Sequence, residues 1–143
     1  MLILHCALWY NKKMEKYSVQ QVNLMSTDAL AYIGDAYFTL RCRLEVLKHH
    51  NAKPAKLHVG VTGLVNAHAQ SEFLEKIMPN LTTEEEDIVR RARNSPTTTK
   101  SKNYGLAEYK RATSFEALLG FLYLTNQKRL EQIIDMVLLG VEL

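Results

Sequence analysis

Apolar residues recur along most of this chain at helical spacing from Leu30 to Leu138, and nowhere alternate convincingly as in a strand. Leu30, Ile33, Tyr37, Leu40, Leu44 and Leu47 alternate steps of three and four and predict one long helix. Ser26, Thr27 or Asp28 can cap its start. Ala31, Phe38, Cys42 and Val46 form a second apolar face, with Asp35 beside them, so a central, buried position is expected. Pro54 suits the first turn of a second helix running towards Ile77, with Leu57, Val61, Leu64, Val65 and Leu74 inward. Met78-Pro79-Asn80 ends it. Thr82 and Glu85 form a capping box for a third helix, TEEEDIVRRARN, whose acids come first and arginines last, as the helix dipole favours. The stretch Asn94–Gly105 is rich in loop formers. A long helix through FEALLGFLYL and a last amphipathic one on Leu130, Ile133, Ile134, Val137 and Leu138 complete an all-α reading.

With 143 residues and no linker or repeat, residues 14–143 are expected to form one domain. Residues 1–13 stand apart as an N-terminal extension, and Met14 offers an alternative start because the helical pattern begins only after it. No basic region precedes the apolar residues at the start and no small-residue cleavage site follows, which argues against a signal peptide. No run reaches the ~18 apolar residues of a membrane span. Cys6 and Cys42 both lie in apolar runs and read as reduced core residues, pointing to the cytoplasm.

Charge changes the picture in two places. The net charge of +3 is mild, but Arg90–Arg111 holds seven cations against one anion, Glu108. Arg90, Arg91, Arg93, Lys100, Lys102, Lys110 and Arg111 flank the polar loop. They form either a solvated face or a phosphate-binding surface. Tyr104 is the only ring in the loop, which favours shape-based recognition of duplex RNA over stacking on single strands.

The second place is a pair of isolated acids. Asp35 is the only charge between Ala29 and Leu40, and Glu116 the only one between Ala112 and Gln127. Asp35 can be a core acid bonded to backbone or to an arginine. Glu116 can close a capping box with Thr113. Alternatively the two share a divalent cation that activates water against a phosphate. The histidines show no zinc spacing with the cysteines, and no glycine-rich phosphate loop is present.

AYIGDAYF around Asp35 and YKRATSFEALLGFLYL around Glu116 resemble the two signature helices of ribonuclease III domains. KPAKLH at Lys53–His58, VNAHAQ at Val65–Gln70 and RARN at Arg91–Asn94 add to the likeness, in order, from about Leu24 to Leu139. The match is nearest to the small Mini-ribonuclease III subgroup, which lacks a C-terminal RNA-binding domain. The resemblance implies a homodimeric, Mg²⁺-dependent endoribonuclease for double-stranded RNA, with Asp35 and Glu116 as its catalytic, metal-binding acids. With this activity the basic segment is expected to contact RNA through Arg91, Arg93, Asn94, Lys100, Lys102, Lys110 and Arg111. The subgroup's role in maturing the large-subunit (23S) ribosomal RNA precursor suggests that substrate, and leaves room for ribosomal proteins as partners on it. The family usually has Glu where Ala31 stands and Asp where Thr113 stands; both departures resemble the subgroup and leave two acids in place of four. A non-catalytic helical dimer that binds structured RNA or ribosomal particles is the competing reading.

Overall fold

The computed structural model describes residues 17–49, 53–96 and 105–141. They form α1 (Val19–Asn23), α2 (Thr27–His49), α3 (Pro54–Val65), α4 (Ala67–Ile77), a 3-10 turn (Met78–Asn80), α5 (Thr83–Asn94), α6 (Leu106–Thr125) and α7 (Gln127–Leu138). There is no strand among the described residues, in agreement with the all-α expectation. Residues 1–13, Lys100 and Lys102 lie outside the described residues.

Helix α6 is the axis of the fold. Ala112, Phe115, Ala117, Leu118, Leu119, Phe121 and Leu122 are all buried, so the helix is apolar on nearly every side of its second half. Such a helix has to be surrounded, and α2, α4, α5 and α7 pack around it. Phe38 of α2 meets Phe115 of α6 edge-on, with ring centroids 5.1 Å apart at 88°, and Phe73 of α4 closes the cluster at 5.9 Å from Phe38.

Two sequence expectations need correction. On α2 the core face is Ala31, Phe38, Cys42 and Val46, the stripe read as secondary, joined by Gly34 and by Leu30 from the stripe read as main. Leu40, Leu44 and Leu47, taken as the main stripe, are exposed together with Tyr32. A helix apolar on two sides has one face left over when its neighbours cover only the other. The second correction concerns the helix from Pro54. It breaks at Asn66, whose Oδ1 accepts the Ala69 N–H at 2.9 Å and so starts α4. An asparagine cap outcompetes continuation of the helix there.

The caps otherwise follow the pattern. Ser26 Oγ accepts the Ala29 N–H at 3.1 Å at the head of α2. Thr82 and Glu85 form the expected capping box. Glu85 is buried and has a second partner, Arg129 of α7, which donates Nε to its Oε1 at 2.8 Å and Nη2 to its Oε2 at 3.0 Å. Burial alone would raise the Glu85 carboxyl; the Arg129 guanidinium and the Thr82 N–H outweigh it and hold the group below the ordinary range. Cys42 is buried, and burial pushes its thiol up to about 12, which fits an inert core residue.

Candidate active site

The site forms where α2 and α6 touch backbone to backbone. A Cβ on Gly34 would lie 1.8 Å from the Glu116 carbonyl oxygen, and one on Gly120 would lie 1.9 Å from the Leu30 carbonyl oxygen. Only glycine allows this approach. The contact also fixes register. Gly34 sits against the Glu116 backbone, so the next residue, Asp35, is brought into electrostatic reach of the Glu116 carboxyl.

The two acids have different surroundings. Asp35 is exposed and accepts a hydrogen bond from Thr39 Oγ1 at 3.4 Å. Glu116 is half-buried. Burial, reinforced by the nearby Asp35 carboxylate, pushes its carboxyl up to about 7, while the Gln70 amide pulls the other way.

Both structural alternatives drawn from the sequence therefore fail. Asp35 is no paired core acid, because it faces outward. Glu116 is no helix cap, because α6 begins at Leu106 and places it roughly three turns inside. Ser114, within the supposed cap, donates Oγ back to the Lys110 carbonyl at 2.7 Å, as a mid-helix serine does.

The basic residues divide by partner. Arg91 donates to the Asn23 and Met25 carbonyls at 3.1 and 3.5 Å, fastening α5 to the end of α1. Arg111 donates Nε to Ser71 Oγ at 2.7 Å and pairs with Glu75 at 3.3 Å, fastening α6 to α4. Arg90 pairs with Asp87 one turn away. Arg93 and Asn94 are exposed at the end of α5. Arg93, Lys110 and Arg111 border a cavity of about 520 Å³ with Leu74, Met78 and Leu106 on its walls; neither Asp35 nor Glu116 lines it.

Sequence reasoning assigned no role to Gln70 or His68. Gln70 stands four residues before Leu74 on the inward stripe of α4, a polar residue at a core position, and that placement was the available signal. His68 Nδ1 lies 2.6 Å from Glu108 Oε1, and this contact, with Glu72 adding to it, raises the imidazole pKa.

Among the described residues no cluster of three or more His, Cys, Asp or Glu could hold a metal. Two carboxylates suit Mg²⁺ nonetheless, since that ion keeps several waters and takes one or two carboxylates plus substrate phosphate. The raised Glu116 carboxyl beside Asp35 is the strain a cation would relieve. No helix among the described residues is long and apolar enough to cross a membrane.

Known proteins resemble this chain. The Ribonuclease III domain family matches residues 28–127, which include Asp35, Gln70 and Glu116. Mini-ribonuclease 3 of Clostridium tetani is 36% identical over 126 residues, covering 87% of this chain and 83% of that protein. Mini-ribonuclease 3 of Streptococcus pneumoniae is 37% identical over 124 residues, covering 85% of this chain and 97% of its own. A crystal structure of a Fusobacterium nucleatum protein superposes with a TM-score of 0.74 at 34% identity, covering 80% of this chain and 94% of that one.

Proposed function

Because the chain belongs to the ribonuclease III family, in its Mini-ribonuclease 3 branch, it is an endoribonuclease for double-stranded RNA, and we propose that Asp35 and Glu116 form its catalytic centre. The family is in general metal-dependent, and the reading takes the cation to be Mg²⁺ held by these two carboxylates. Bound there, it would lower the pKa of a water ligand and stabilise charge on the scissile phosphate. Asp35 is exposed on the surface, where RNA could reach it, whereas Glu116 is half-buried and anchored in α6.

The observation that carries this reading is the Gly34–Glu116 contact, which brings two otherwise isolated acids together. Arg91, Arg93, Asn94, Lys100, Lys102, Lys110 and Arg111 would hold phosphates along the duplex. Contacts of that kind give salt-dependent affinity with little sequence preference. The exposed apolar side of α2, with Tyr32, Leu40, Leu44 and Leu47, supports a homodimer whose seam lies beside Asp35. The natural substrate in this reading is the 23S ribosomal RNA precursor in the cytoplasm, with ribosomal proteins as partners on it. Residues 14–143 act as the single catalytic domain, and residues 1–13 as an extension. The family match sets aside the competing non-catalytic dimer.

Incubating the purified protein with duplex RNA, with Mg²⁺ or with a chelator, tests the reading. Cleavage is expected only with Mg²⁺. Cleavage of equal rate in chelator would overturn the metal assignment, and binding without cleavage in both would overturn the catalytic one.

A further inference from the structure

Gln70 is 2% exposed, yet its Nε2 has no hydrogen-bond partner among the described residues. An unpaired buried donor destabilises a fold, and an apolar side chain of similar shape would avoid that cost. Such a group in a native core calls for a reason.

The surroundings of Gln70 supply one. Helix α4 is fastened to α6 on both sides of it, by His68 to Glu108 and by Ser71 to Arg111. The amide lies near enough to the Glu116 carboxyl to favour its charged form. A carboxylate has two oxygens with about four acceptor positions. A donor that took one of these on the buried side would leave the others for a cation shared with Asp35.

The residue type matters. A lysine or arginine there would pair with Glu116 and cancel the negative charge a cation needs. A third carboxylate would repel it. A neutral amide donates without doing either. Orientation counts for more here than in a four-acid site, because positions 31 and 113 are alanine and threonine.

We propose that Gln70 is a positioning residue of the catalytic centre: its Nε2, without a partner in the metal-free fold, donates to the Glu116 carboxylate once a cation is held there and aims the free lone pairs at the site shared with Asp35. This rests on the reading of Asp35 and Glu116 as the metal-holding pair. Groups that orient a metal ligand typically alter metal affinity by about 10–100-fold when removed.

Calorimetric titration of Mn²⁺ into the full chain without RNA tests this in the parent, Gln70→Met, Gln70→Leu and Asp35→Asn. Both Gln70 variants are expected to bind Mn²⁺ about 10–100-fold more weakly. Their metal-free melting temperatures should equal or exceed the parent's, since an unpaired buried donor has gone. Parent-like Mn²⁺ affinity in both variants overturns the proposal. So does a lowered melting temperature in both, which would make Gln70 a packing residue. Asp35→Asn separates the two levels: if it weakens Mn²⁺ binding while the Gln70 variants do not, only the role of Gln70 falls. If Asp35→Asn leaves Mn²⁺ affinity unchanged, the metal-site reading falls, and the role of Gln70 with it.

Discussion

At Glu116 the fold works against ionisation. Its carboxyl is raised to about 7 by burial and by Asp35, so the folded protein keeps a proton that the unfolded chain has already released above the ordinary carboxylate range. Stability from this group is therefore greatest at low pH and is lost as pH rises towards and through about 7. Urea unfolding at pH 5 and pH 8 should show the metal-free parent losing more stability over that interval than Glu116→Gln. Parallel losses in the two proteins would contradict the assignment. Asp35 and Glu116 were legible in the sequence because each is the only charge in an apolar run. The exposure of Asp35 was not, because an apolar run can belong to a helix with one face outside. Gln70 was passed over since an uncharged amide among apolar residues draws no notice until its missing partner is seen.

Between elements, the decisive contact is α2 against α6. Gly34→Ala would put a methyl group 1.8 Å from the Glu116 carbonyl oxygen, so the helices must separate. Overpacking of this kind costs about 1–3 kcal/mol and sometimes more. A shift near 1 Å between the two acids should also slow cleavage by about 100-fold. Thermal melts and single-turnover rates measure both effects; a variant with parent stability and parent rate would refute the close approach. Gly34, next to Asp35, is a residue type that permits such a close approach, and the sequence disclosed the helices through their stripes. It misplaced two boundaries for one physical reason. Asn66 caps a helix where the apolar pattern runs on, and Thr113 looks like a cap inside a helix already under way from Leu106. Capping residues state what a boundary could be, and packing decides whether it is used.

For the whole molecule, the face of α2 beside the site remains uncovered: Tyr32 is 78% exposed, Leu40 55% and Leu47 54%. Glutamates at Leu40 and Leu47 should convert a dimer to a monomer in sedimentation equilibrium, and an unchanged mass would remove this face as the seam. Alanines at Lys100 and Lys102 should reduce the slope of log affinity against log salt by roughly 1 to 2 if both meet phosphates; an unaltered slope would remove them from the RNA surface. In the proposed centre two carboxylates, joined by one glycine contact, perform the hydrolysis. Single-turnover cleavage of duplex RNA by Asp35→Asn in Mg²⁺, with RNA affinity measured on the same preparation, tests it most directly. Cleavage should be lost while folding and RNA binding stay near the parent's; parent-like cleavage by that variant would contradict the claim.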